Sequence, residues 1–180
     1  MNDDFASESK RLSDIASALK EERRRSVDRA QSFDEIFGLV KRIVEEELGA
    51  HRAGLSLVLT SMSNEVGAYY PVGSNMIVVN MSLINGLKKV TKNPREVSAF
   101  IFMVLLHEYL HSLGYLDEKR VRDLSLMISK NALGFDHPAV KFANSNWLET
   151  YPQLGLAEQG FSKDFEVVTK FDSSSTSYIG

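Results

Sequence analysis

Between residues 1 and 30 the apolar positions form only a narrow stripe, Leu12, Ile15, Ala16 and Leu19, in a highly charged background. Spacings of three and four residues place these side chains on one helical face, so the segment reads as an exposed amphipathic helix or one ordered by a partner. A firmer helix starts after Ser32. Ser32 and Glu35 have the S-x-x-E spacing of a capping box, in which two side chains satisfy free backbone N–H groups. Ile36, Phe37, Leu39, Val40, Ile43, Val44 and Leu48 continue a broad stripe, and Gly49 suits a left-handed stop. Residues 55–60, 66–70 and 76–80 read as three strands, the last two joined by a turn-rich Pro71-Val72-Gly73-Ser74-Asn75. Ser82 suits the cap of a short helix through residue 89.

The next helix has strong boundaries. Asn93 suits the N-cap, Pro94 the first helical position, and Glu96 follows three residues after Asn93, which predicts a helix over 94–113 with Gly114 as its stop. Residues 99–106 are apolar without interruption, so this helix is expected to be buried on all sides. Residues 117–131 follow as another helix with Val121, Leu124, Met127 and Ile128 on one face. Phe135-Asp136-His137-Pro138 breaks it, and a short helix is expected over 138–144. From Tyr151 the composition loosens, and residues 173–177 (S-S-S-T-S) read as a disordered tail.

Helix, three strands and helix in that order lack a regular βαβ alternation, so the expected fold is α+β: a small mixed sheet packed on helices around a central buried helix. The expected organisation is a charged helical extension (1–30), one main domain (31–150) and a loose tail (151–180). The 180 residues, 43% hydrophobic and 25% charged, suffice for one core. A net charge of -3 calls for neither nucleic acid nor an acidic membrane. The Arg triplet at 23–25 lies among acids and reads as a solvated helix face. Cysteine is absent, so any metal site has to use His, Asp and Glu. The N-terminus lacks the features of a signal peptide, and no apolar run approaches the roughly 20 residues of a membrane span; a cytoplasmic protein is expected.

The candidate chemistry sits near the end of the buried helix, where His107-Glu108-Tyr109-Leu110-His111 reads H-E-x-x-H. Histidines at i and i+4 share a helical face and can address one metal ion, while Glu108 can reach a water on it. Two imidazoles, a carboxylate ligand and a nearby base are the components of metal-assisted hydrolysis. His51 and His137 read as structural histidines, one beside a helix end and one beside a proline in a loop.

The extended pattern His107, Glu108, His111, Gly114 and Asp117 resembles the H-E-x-x-H-x-x-G-x-x-D signature of metzincins, within the zincin class of zinc metallopeptidases. The resemblance covers about 12 residues tightly and implies a zincin-like fold, a Zn2+ cofactor and a peptide or protein substrate. His107 and His111 would be ligands, Glu108 the base that assists a zinc-bound water, and Asp117 the third ligand with Glu118 as the alternative. A methionine turn is also implied, and Met127 is within range, though its surroundings read as helix. Small single-domain zincins such as the minigluzincins instead take a glutamate from a following helix, which makes Glu118, Glu149 and Glu158 candidates. Tyr69, Tyr70, Tyr109 and Tyr115 are candidate oxyanion donors, and the strand at 75–80 is a candidate edge for an extended substrate. The charged N-terminal helix or the loose tail is a candidate cover for the cleft. No nucleic-acid or membrane partner is expected.

Two alternatives come from other functional classes. Certain endoribonucleases with an H-G-x-L-H-x-x-G-Y-D-H pattern share His107, Leu110, His111, Gly114 and Tyr115, but have glycine where this chain has Glu108. A non-catalytic zinc-binding interaction domain would instead present a closed, fully liganded site.

Overall fold

The computed structural model describes residues 2–156 and 166–168. Helix α4, Pro94–Ser112, lies at its centre, because its apolar run leaves no face for solvent: Phe100, Phe102, Leu105, Leu106 and Tyr109 are fully buried. Asn93 caps it by accepting the Arg95 N–H at 3.1 Å, with Pro94 in the first turn. Glu96 does not close a capping box. Its carboxylate instead accepts from Thr91 Oγ1 and from the Tyr151 hydroxyl.

The other helices wrap this one. α1 (Asn2–Arg29) packs its C-terminal part against α4 and against α5 (Glu118–Leu133), and Val27 is fully buried there. Further towards its N-terminus Leu12, Ile15 and Leu19 remain exposed. Two of the three arginines are engaged within the chain: Arg23 pairs with Glu46 and Glu47, and Arg24 makes a bidentate pair with Asp136, 2.7 Å for each bond. α2 (Phe33–Leu48) begins at the expected Ser32 cap and ends at Gly49 with φ 64°. Glu35 reaches back one residue further than a capping box requires, accepting from the Gln31 N–H at 2.8 Å. α6 (Pro138–Asn144) crosses α4 on the other side, where Phe100 meets Phe142 and Trp147 edge to face.

The architecture is α+β, with one four-stranded mixed sheet. Strand order is β2 (Ala68–Tyr69), β3 (Met76–Asn80), β1 (Ser56–Thr60), β4 (Glu166–Val168). β1 and β3 run parallel in register Leu57↔Ile77, while β2 and β4 are antiparallel to their neighbours. The strand expected over 66–70 shortens to two residues. β4 adds a strand from the region expected to be loose, because β1 leaves an edge open on that side. Residues 173–177 lie outside the described residues, as does Glu158.

α3 (Met81–Thr91) starts from Asn80, not Ser82. Asn80 is fully buried, and its Oδ1 accepts from Met62, Ser82 and Leu83 while its Nδ2 donates to the carbonyls of Ser63 and Val66. One side chain therefore caps a helix and fixes the 62–66 loop. Two short helices, α7 (Trp147–Thr150) and α8 (Gln153–Leu156), follow α6 and were not anticipated by periodicity. They are held by Trp147 Nε1 donating to Asn64 O at 3.2 Å and Asn64 Nδ2 donating to Leu154 O at 2.7 Å.

His137 joins α1 to α6. Its Nε2 lies 3.0 Å from Asp28 Oδ1 and its Nδ1 accepts the Ala139 N–H, with no side-chain exposure. Burial pushes its pKa below the usual imidazole value of 6.5, against the opposing pull of Asp28. The unfolded chain therefore takes up this proton at a pH where the folded chain does not, so stability is present above about 6.5 and lost on acidification below it. Urea unfolding of the metal-free protein at about pH 7.5 and about pH 5.5 should show a fall in stability that is smaller in His137→Gln. An identical fall in both proteins would remove His137 from the account.

Candidate metal centre and its cleft

His107 and His111 leave the last turns of α4 on one face, with ring centroids 4.9 Å apart and Nε2 atoms 3.2 Å apart. Glu118 opens α5 directly opposite. Its Oε2 lies 3.4 Å from His107 Nε2 and its Oε1 3.1 Å from His111 Nε2. Among the described residues these three form a group able to hold a metal ion. Ligands bonded at about 2.0–2.1 Å in a tetrahedral site stand about 3.3 Å from one another; the two imidazole nitrogens stand close to that edge length, and each has one Glu118 oxygen at a similar distance. The donor set, two imidazoles and one carboxylate, fits zinc chemistry.

The turn between the helices makes this possible. Gly114 adopts φ 96°, a left-handed conformation that glycine enters without the Cβ penalty. The chain then folds back, so that the carbonyl of Tyr115 lies 2.8 Å from His111 Nδ1. That carbonyl can only accept, so Nδ1 carries the hydrogen and Nε2 keeps its lone pair for a ligand bond. Burial also pushes the His107 pKa down, ahead of the opposing pull of Glu118, which favours the neutral imidazole that metals bind.

Asp117, expected as third ligand, is engaged elsewhere: its Oδ1 accepts the Arg120 N–H at 2.7 Å and caps α5. The structure brings Glu118, the alternative, to the two histidines. Glu149 sits in α7 outside the group, and Met127 is an exposed residue within α5 and supplies no methionine turn. His51 lies 3.7 Å from Glu45 at a helix end, and His137 is the structural contact described above.

Glu108 faces a cavity of about 740 Å³ shared with His107 and Glu118. It is 8% exposed, and burial raises its pKa to about 8, against the Tyr70 backbone N–H that favours the carboxylate, with the Glu118 charge adding to the rise. One wall of the cavity is the 65–68 segment, held by Asn80, whose N–H also donates to Gly67 O at 2.9 Å. Gly67 is needed for close packing: a Cβ there would stand 3.0 Å from Val104 Cγ1 and 3.5 Å from the Trp147 ring. Phe142 to Leu148 line it as well, and α5 contributes Glu118, Arg122 and Ser125.

The strand expected to receive substrate, 75–80, is interior: β3 pairs with β1 along its length and with β2 at Val78 and Val79. The sheet edge beside the cavity is β2, whose Ala68 lines it. The tyrosines proposed as oxyanion donors are not among the lining residues. Tyr109 is fully buried, with its hydroxyl accepting the Arg52 N–H, and Tyr70 accepts from the Arg52 guanidinium. Likewise no residue of α1 lines the cavity, so the described part of that helix does not cover it. Sequence reasoning missed Arg122 and Ser125, although their spacing of four and seven residues from Glu118 places all three on one helical face.

The turn is testable. In Gly114→Ala no neighbour obstructs the new methyl group, so only the left-handed backbone is penalised, by about 1–2 kcal/mol. Urea unfolding should show that loss, and zinc titration should show weaker uptake, because His111 and Glu118 lose their shared turn. Unchanged uptake would mean that the turn does not set the donor geometry.

No helix among the described residues is long and apolar enough to cross a membrane. No curated protein and no solved structure is significantly similar to the chain. The model of the family described as metallopeptidase toxin 3 does match, over residues 10–131, about two thirds of the chain. That match takes in the H-E-x-x-H helix, the Gly114 turn and Glu118. The chain therefore belongs to the metallopeptidase toxin 3 family, and the site just described lies in the region that places it there.

Proposed function

We propose that this chain is a zinc-dependent metallopeptidase with a zincin-type site, in which His107, His111 and Glu118 hold the ion and Glu108 is the catalytic base. The observation that carries the reading is the convergence of two imidazole nitrogens 3.2 Å apart on the Glu118 carboxylate, each 3.1–3.4 Å from one of its oxygens, beside a buried carboxyl group that lines the same cavity as His107 and Glu118. When bound, zinc supplies a Lewis acid that polarises the peptide carbonyl and acidifies water.

The chain's own groups do the rest. His111 is oriented by the Tyr115 carbonyl, and Glu118 is placed by the Asp117 cap behind it. Glu108 takes the proton of the attacking water and returns it to the leaving amine. Burial raises its pKa to about 8 in the metal-free site; a bound cation would lower it towards the ionised form that accepts a proton. Tyr70 N–H fixes the carboxylate from the β2 side. An extended substrate lies along the 65–68 wall, where β2 offers the sheet edge, and backbone pairing holds it against the cleft.

Elemental mass spectrometry and digestion of a peptide mixture together test this reading. The parent protein should bind about one zinc per chain and cleave peptides, and His111→Ala should lose both properties. Glu108→Gln should keep the zinc and lose hydrolysis by roughly 10²–10⁴-fold. Hydrolysis that persists in Glu108→Gln would overturn the base assignment, and a parent protein that takes up no zinc would overturn the metal site.

A further inference from the structure

The mechanism above uses one of the three polar side chains that α5 presents to the cavity. Glu118, Arg122 and Ser125 stand at i, i+4 and i+7 and line the same space. Ser125 is 1% exposed, and its hydroxyl has no hydrogen-bond partner. Buried hydroxyls are nearly always paired, so an unpaired one on a cavity wall is a donor awaiting an acceptor. Arg122 is the one lysine or arginine among the cavity's lining residues, and its charge acts on His107. Among the described residues no carboxylate forms an ion pair with it, in contrast to Arg23, Arg24 and Arg95, which are all paired.

Position decides what this pair of groups would meet. One helical turn, about 5.4 Å, separates Arg122 from the Glu118 ligand position, and Ser125 lies about one turn further. An extended peptide advances about 3.3 Å per residue. The two side chains therefore flank the residues next to the scissile bond, not the reacting carbonyl. Met103, Val104 and Phe142 line the same cavity, together with the neutral polar Asn144, Ser145 and Asn146. A guanidinium and a hydroxyl in such surroundings select an anionic oxygen acceptor.

We propose that Arg122 and Ser125 form a subsite for a carboxylate of the substrate, either the side chain of an Asp or Glu adjacent to the scissile bond or the C-terminal carboxylate of the peptide itself. The assignment rests on the metallopeptidase reading and extends it to a substrate class. The Arg122 guanidinium holds the carboxylate at the mouth, and the Ser125 hydroxyl donates from the wall.

The test separates binding from cleavage. Four fluorescent heptapeptides carry Glu or Gln beside a central apolar residue, each with a free or an amidated C-terminus. Their affinities are measured by anisotropy with the zinc-loaded, full-length Glu108→Gln protein, which binds without turnover. The expected result is about five- to tenfold tighter binding of one carboxylate-bearing pair, lost in a second protein carrying Arg122→Ala and reduced by Ser125→Ala. Preference for Glu over Gln identifies a side-chain carboxylate, and preference for the free over the amidated end identifies the terminus. Equal binding of all four peptides, no measurable binding of any, or a preference that survives Arg122→Ala would each overturn the subsite. Cleavage of the same peptides by the parent protein is the second arm. Discrimination in binding with no cleavage leaves the subsite standing and rejects the peptidase reading, whereas cleavage without discrimination does the reverse.

Discussion

Complete burial of α4 is the constraint on which the rest of the molecule depends. A helix apolar around its whole circumference has no stable position at a surface, so other elements are recruited to cover it. α1, α2, α5 and α6 pack directly on it, and β2 and β3 reach it from the sheet. The covering is dense enough that at Gly67, just before β2, an added Cβ would stand 3.0 Å from Val104 Cγ1. Ser98 Oγ, donating to the Ala30 carbonyl at 3.0 Å, ties the end of α1 to the same helix.

That burial also creates the chemistry. Polar groups at the end of such a helix enter an environment where charge is expensive, and their protonation states respond. Glu108 is driven towards its protonated form and His107 towards its neutral form, both by desolvation first. A neutral imidazole is the metal-binding form, and a carboxyl of raised pKa is the better proton acceptor. Both adjustments follow from one cause, the position of the motif at the point where the core opens into the cleft.

What could be read from the sequence was local. Capping chemistry at Ser32 and Asn93 and helical periodicity placed α2, α4 and α5 closely, and H-E-x-x-H singled out two histidines and a glutamate that the structure brings to one cleft. The features that escaped depend on contacts across long separations. β4 pairs with β1 more than a hundred residues away, and Asn80 caps α3 while binding a loop up to 18 residues earlier. Neither leaves a periodic trace, because three residues of strand and one buried amide are too short to set a period. The cleft lining from Phe142 to Leu148 is invisible for the same reason: its place beside α4 is set by Trp147 reaching Asn64.

The third donor shows where local reading stops. Asp117 and Glu118 are adjacent, and the choice between them is a choice of which residue caps the helix and which begins it. Asp is the better cap, since its short side chain returns to the backbone N–H of the first turn, whereas Glu is long enough to reach outward from the first helical position. The Gly114 turn sets the helix start at the distance where that reach ends between His107 and His111. Once Glu118 is the first residue of α5, the helical repeat carries the same face down the cleft through Arg122 and Ser125. A single turn conformation thus fixes both the donor set and the chemical character of the wall that continues from it.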